Sequence, residues 1–185
     1  MKSPPLTLYH YWRSSCSWRV RWALVIKNID CDFEAVNLLK DEQRNPTYLE
    51  KNPSGQVPCL QVGEDFFSES LAILEWLEER HPNPALLPAD PLEKMRVRQL
   101  SYIISSGVQP LQNLKAQRYF AKEKEKQKEY ACYWMERGFE AFEKIAQKYS
   151  KGYSYKDKLT FADLCLIPQV YNGMRFGVSL DKFPL

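Results

Sequence analysis

The chain has 185 residues, 44% hydrophobic and 26% charged, with 26 basic side chains against 23 acidic ones for a net charge of +3. That balance is too slight for the strong basic patch of a nucleic-acid binder, and a 14% aromatic share argues for packed pockets rather than disorder. Five cysteines (Cys16, Cys31, Cys59, Cys132 and Cys165) form no C-x-x-C pair, and with only His10 and His81 beside them they have no metal-ligand spacing. Reduced thiols, no secretory signal and no membrane-length apolar run make a cytoplasmic protein the expectation.

In chain order, 6–12 reads as a strand and 17–27 as the helix after it, with Val20, Ala23, Leu24 and Lys27 at helical spacing. Between them lies a corner of small residues, Ser14-Ser15-Cys16-Ser17, where hydroxyls and the first free N–H groups of a helix converge. Such a point suits an anion, because a helix N-terminus carries unsatisfied donors and partial positive charge. Residues 31–38 alternate and read as a second strand, giving a β-α-β unit whose spacing permits a parallel pair. Residues 41–52 read as loop with a short helical turn. Pro53-Ser54-Gly55 is a turn, Pro58 heads an apolar strand, and Phe66-Phe67 forms a short one. Residues 68–79 give the best helix of this half, with Leu71, Ile73, Leu74 and Leu77 as its stripe.

Four prolines between His81 and Pro91 mark a linker. Beyond it everything reads as helix: 92–106, then a segment interrupted at Pro110, then 121–149 with a charged, solvated start. After a loop, Thr160 and Asp163 form a capping box flanked by Leu159 and Leu164. The architecture is therefore a small α/β domain over 1–83 and an all-helical domain over 84–185.

The run Ser14-Ser15-Cys16-Ser17-Trp18-Arg19-Val20-Arg21 resembles the zeta-class glutathione transferases. So do Asn52-Pro-Ser-Gly-Gln-Val-Pro58, Glu69-Ser70 with the helix after it, Gln109-Pro-Leu-Gln-Asn-Leu114, and Ala162 to Val170. The matching segments run in order over nearly the whole chain. The resemblance implies a thioredoxin-like N-terminal domain that binds glutathione as cofactor, and a helical C-terminal domain that supplies the electrophile pocket. It also implies a homodimer and no metal. The family reaction is the glutathione-dependent cis–trans isomerisation of maleylacetoacetate, a dicarboxylate, to fumarylacetoacetate in tyrosine and phenylalanine catabolism. A general transferase acting on small electrophiles such as α-halo acids, and a catalytically idle glutathione-binding protein, stay open as alternatives.

By the resemblance, Ser14, Ser15 and Cys16 are the catalytic corner, with Ser14 first for stabilising a glutathione thiolate. The physical need is plain: a free thiol titrates near about pH 8.5, so a donor hydroxyl and positive potential must lower that value. Either Ser15 or Ser17 can instead cap the helix. The cofactor contacts implied are Ser14, Ser15, Cys16, Ser17, Trp18, Arg19, Gln43, Val57, Pro58, Glu69, Ser70, Gln109 and Asn113. Val57-Pro58 corresponds to a cis-proline corner whose backbone pairs with glutathione, although Pro58 can also be a simple edge proline. Ser70, with the helix N-terminus, suits the γ-glutamyl carboxylate. Arg13 and Arg175 are the substrate cations, with Arg19 a further candidate; Arg13 or Arg19 can instead form ion pairs. The chain departs from the family pattern at Glu69 (usually Gln), Lys115 (often Ser) and Lys156 (usually Gly). Family members also continue beyond Pro184 into further helix, so the helical domain is expected to be shortened.

Overall fold

The structure is a computed structural model and describes residues 4–184; residues 1–3 and 185, inside the two expected domains, lie outside the described residues. It divides between Ala85 and Leu86 into two compact units. The Pro-rich segment is therefore not a free spacer: Leu86 and Leu87 are buried, and the Leu86 carbonyl accepts from the N–H of Phe161 at 3.1 Å.

In the first unit, β1 (Leu6–His10) leads into α1 (Ser15–Ile26) and β2 (Asp32–Ala35). Two 3₁₀ turns and the one-turn helix α2 (Pro46–Leu49) follow, then β3 (Cys59–Val62), β4 (Asp65–Phe67) and α3 (Ser70–Arg80). The sheet order is β2-β1-β3-β4, with β2 parallel to β1 and the other neighbours antiparallel. Leu8 pairs with Leu60 and both are fully buried on one face; Tyr9 pairs with Cys59 on the other, in a cluster with Tyr48 of α2. This is the period-two alternation of a sheet covered on both sides. The stripes of α1 (Val20, Ala23, Leu24) and α3 (Ile73, Leu74, Leu77) are buried, and the two helices pack together.

Several boundaries differ from the sequence expectation for identifiable reasons. Helix α1 starts at Ser15 rather than residue 17, because Ser14 takes the cap. Strand β2 is only four residues long, all exposed, as fits an edge strand that is paired only to β1.

The second unit holds α4 (Pro91–Ser105), α5 (Gln109–Gln112), α6 (Leu114–Phe120), α7 (Lys124–Ala146) and α8 (Phe161–Phe176). Helix α4 packs on α7 and α8, and α5 and α6 pack on α7. The capping box of α8 forms: the Asp163 carboxylate accepts from the Thr160 N–H at 2.7 Å and the Ser154 N–H at 2.8 Å. Lys156 takes φ +56°, the left-handed region a glycine occupies freely, so the loop keeps its path with a lysine and pairs that lysine with Glu93. Among the described residues no helix is long and apolar enough to cross a membrane.

Candidate active site

The corner after β1 is a turn, closed by the Ser14 N–H on the Tyr11 carbonyl at 3.0 Å. Arg21 clamps that turn from α1: it donates to the Tyr11 carbonyl at 3.2 Å and the Trp12 carbonyl at 3.0 Å. The same guanidinium lies 3.0 Å from Nδ1 of His10, and burial together with the Arg21 charge holds the His10 pKa below its ordinary value. Ser14 itself is the N-cap, its hydroxyl oxygen accepting from the Ser17 N–H at 3.2 Å. The cap thus falls on the favoured catalytic serine, not on Ser15 or Ser17. Because the oxygen accepts, the Ser14 proton stays free to donate to another group.

The structure separates the remaining corner residues. Ser17, expected among the cofactor contacts, is 0% exposed and faces inward, where its hydroxyl accepts from the Tyr11 N–H at 3.4 Å. This corrects the expectation: its side chain holds the turn and is closed off from a cofactor. Ser15 is also buried, while Cys16 and Trp18 are half-buried. Burial pushes the Cys16 thiol up from its ordinary pKa against the pull of the nearby Arg19 charge. Cys16 is therefore a neutral thiol at pH 7, and it suits a supporting contact better than a nucleophile.

Arg13 and Arg19 were open as ion-pair partners, and neither forms an ion pair among the described residues. Arg13 is exposed and lies over the Trp12 ring, 5.5 Å from its centroid. Arg19 is 1% exposed and donates from one terminal nitrogen to Ser70 Oγ at 3.1 Å.

Two further features converge on this side of the first unit. The Val57–Pro58 peptide is cis, and among the described residues no hydrogen bond engages the Val57 backbone N–H or C=O. Asn52 holds the preceding turn, donating to the Gln56 carbonyl at 2.8 Å and accepting from the Ser54 N–H at 3.2 Å. At α3, Glu69 is the residue before the helix rather than its first turn, and it is held at φ +69°. A non-glycine residue there costs about 1–3 kcal/mol, and such strain gathers at ligand sites. Ser70 then begins the helix, 5% exposed. Gln43 sits in a 3₁₀ turn, where it donates to Asp41 at 3.1 Å and keeps its side-chain oxygen buried without a partner.

In the second unit, Gln109 opens α5 and Asn113 caps α6, its side chain accepting from the Lys115 N–H at 3.1 Å. Arg175 lies within the last turn of α8 rather than downstream of it, exposed and donating to Asn172 at 3.2 Å. A cavity of about 200 Å³ opens elsewhere in the first unit, near Glu34, Glu42 and Lys51, and none of the corner residues lines it. Sequence reasoning missed Arg21 and His10, whose contacts with a turn and with each other leave no motif.

A small-residue corner at a helix start on a thioredoxin-like sheet, followed by a helical unit, defines a class of protein. The glutathione S-transferase N-terminal domain matches residues 8–85 and the C-terminal domain matches 109–185. The chain belongs to the glutathione S-transferase family. It is 45% identical to the maleylacetoacetate isomerase of Mus musculus over 179 residues, covering 96% of this chain and 82% of that one. A maleylacetoacetate isomerase from Anaeromyxobacter dehalogenans, solved with glutathione bound in its active site, superposes with a TM-score of 0.88 at 43% identity, covering 100% of this chain and 88% of that one. A bacterial maleylpyruvate isomerase of the zeta class superposes with a TM-score of 0.94 at 37% identity, covering 97% and 87%.

Proposed function

We propose that the protein is a glutathione-dependent isomerase that converts maleylacetoacetate to fumarylacetoacetate. The observation that carries this reading is the Ser14 hydroxyl, fixed as the cap of α1 with its proton free to donate, in a unit whose Val57 backbone is unpaired and whose α3 begins at Ser70. Glutathione, when bound, would supply a thiolate for reversible addition to the conjugated double bond, which would turn that bond into a rotatable single bond until elimination restores it and frees the thiolate.

The chain's residues fit that cofactor. Ser14 donates its hydroxyl proton toward the sulfur and favours the thiolate, an effect that strengthens in a partly desolvated corner. The Val57 N–H can donate to, and its C=O accept from, an extended peptide backbone that lies alongside as an added strand would. The free N–H groups at the start of α3, with Ser70, hold a carboxylate. Glu69 is exposed and can pair with the ligand's α-ammonium. Arg13 of the first unit is exposed and offers positive charge of the kind a carboxylate substrate needs; in the second unit Arg175 is likewise an exposed cation, and Gln109 and Asn113 are polar residues at helix starts. We also propose a cytoplasmic homodimer serving tyrosine and phenylalanine breakdown; gel filtration that returned a monomer would remove the dimer.

The purified protein is mixed with maleylacetone and glutathione, and formation of the trans isomer is followed. Glutathione-dependent isomerisation that is lost in Ser14→Ala is expected. Normal glutathione binding without isomerisation would sink the reading. A second reading, the same chemistry on maleylpyruvate, is favoured by the TM-score of 0.94 to a maleylpyruvate isomerase. The ratio of kcat/KM for the two substrates decides between them.

A further inference from the structure

Arg19 is a buried cation without a counter-ion. Its guanidinium, always charged, is 1% exposed, and two of its nitrogens, Nε and one terminal nitrogen, meet no acceptor among the described residues. The remaining terminal nitrogen donates to Ser70 Oγ at 3.1 Å and lies 3.7 Å from Cys16 Sγ. Glu69, whose charge reaches Cys16, is exposed and makes no ion pair with Arg19. Ser70 is the first residue of the 11-residue α3, and Cys16 lies in the first turn of the 12-residue α1. Two helix starts and a guanidinium thus bring positive potential to one place, and among the described residues no carboxylate forms an ion pair with the guanidinium. Burying an unpaired charge is costly, so the arrangement is completed by an anion from outside.

The hydrogen-bond directions say how. A guanidinium only donates, so the Ser70 oxygen must accept from Arg19. The Ser70 proton is then turned away from Arg19, toward the Cys16 sulfur or toward an incoming anion. We propose that Arg19 is a positioning residue: it fixes the Ser70 hydroxyl as an outward donor and makes the start of α3 selective for a ligand carboxylate, that of the γ-glutamyl unit. The inference rests on the glutathione reading above.

The test compares two ligands on the full chain by calorimetry. One is glutathione; the other is 4-aminobutyryl-cysteinyl-glycine, which lacks only the γ-glutamyl α-carboxylate. The wild type binds glutathione more tightly. In Arg19→Gln the glutathione affinity falls about tenfold or more while the analogue's changes less than about twofold, so the preference collapses. Arg19→Lys, which keeps the charge but not the fork, falls between. If Arg19→Gln fails to fold by circular dichroism, Arg19→Lys makes the same comparison. A merely structural Arg19 would weaken both ligands equally, and an unchanged preference overturns the assignment. A wild type that binds both ligands equally overturns it too, leaving glutathione binding intact. A wild type that binds neither overturns both this inference and the glutathione reading.

Discussion

The hydroxyl oxygen of Ser14 stands 3.2 Å from the backbone nitrogen of Ser17, so the side chain that starts α1 is also the one proposed to donate to a thiolate. These two roles differ in size and can be separated. Loss of an N-cap costs about 1 kcal/mol of stability, whereas removal of a donor to a reacting anion costs about 10²-fold or more in rate. Ser14→Ala should therefore lower the urea midpoint slightly and the isomerisation kcat severely. Ser17→Ala, at a position fully buried behind the turn, should show the reverse pattern: a stability loss of about 1 kcal/mol and most of the activity kept.

Acid should loosen the same corner through His10. Its pKa in the folded chain lies below the ordinary 6.5, first because it is buried and then because Arg21 stands beside it. The unfolded chain therefore takes up the proton first as pH falls. The contribution of neutral His10 is present above pH 6.5 and is lost as pH falls through the lower folded value. Arg21 also holds the Tyr11 and Trp12 carbonyls, so a charged His10 pushes on the clamp of the Ser14 turn. Urea midpoints measured between pH 7.5 and 5 should fall further for the wild type than for His10→Gln. Parallel curves would rule this out.

Lys27 ties the end of α1 to the end of α3 and the residues after it. Its buried ammonium meets Glu78 at 2.7 Å, the His81 carbonyl at 2.6 Å and the Pro84 carbonyl at 2.9 Å, which uses all three donors. Lys27→Met leaves a carboxylate and two carbonyls without that partner, and should cost about 3–5 kcal/mol in urea unfolding. Lys27→Met combined with Glu78→Gln should recover part of the loss, because the carboxylate that had faced Lys27 is gone.

Gly138 in α7 sets helix propensity against packing. Alanine at an exposed helix position would gain about 1 kcal/mol over glycine. Here its Cβ would lie 2.0 Å from Val108 Cγ2, a buried and stiff β-branched side chain that cannot swing aside. Overpacking of this kind costs about 1–3 kcal/mol, so Gly138→Ala should destabilise despite its better propensity. Adding Val108→Ala should cost less than the sum of the two single changes. Thermal melts of the three variants check it.

Much of this was legible in the residue order. Strand, small-residue corner and helix could be read from Leu6 to Lys27, because apolar periodicity and N-cap chemistry are local and need no partner. The Thr160–Asp163 capping box was legible for the same reason: a cap spans three residues. The interruption expected at Pro110 falls elsewhere, because Pro110 sits in the first turn of α5, where its missing donor costs little, and the break comes at Asn113. Arg19 and Arg21 were not distinguishable. They lie two residues apart, about 200° around the helix, so they point to nearly opposite faces. Packing of α1 on α3 buries the first against Ser70, while the preceding turn folds back onto the second. In the same way, four small residues in a row offered four candidate hydroxyls and thiols. The sequence by itself determined that a donor-rich corner exists and what chemistry it favours. Only the tertiary structure decided that Ser14 caps α1 and stays half-buried, that Ser17 turns inward, and that a charge lies buried behind Ser70, because these depend on which surface each side chain meets across the fold.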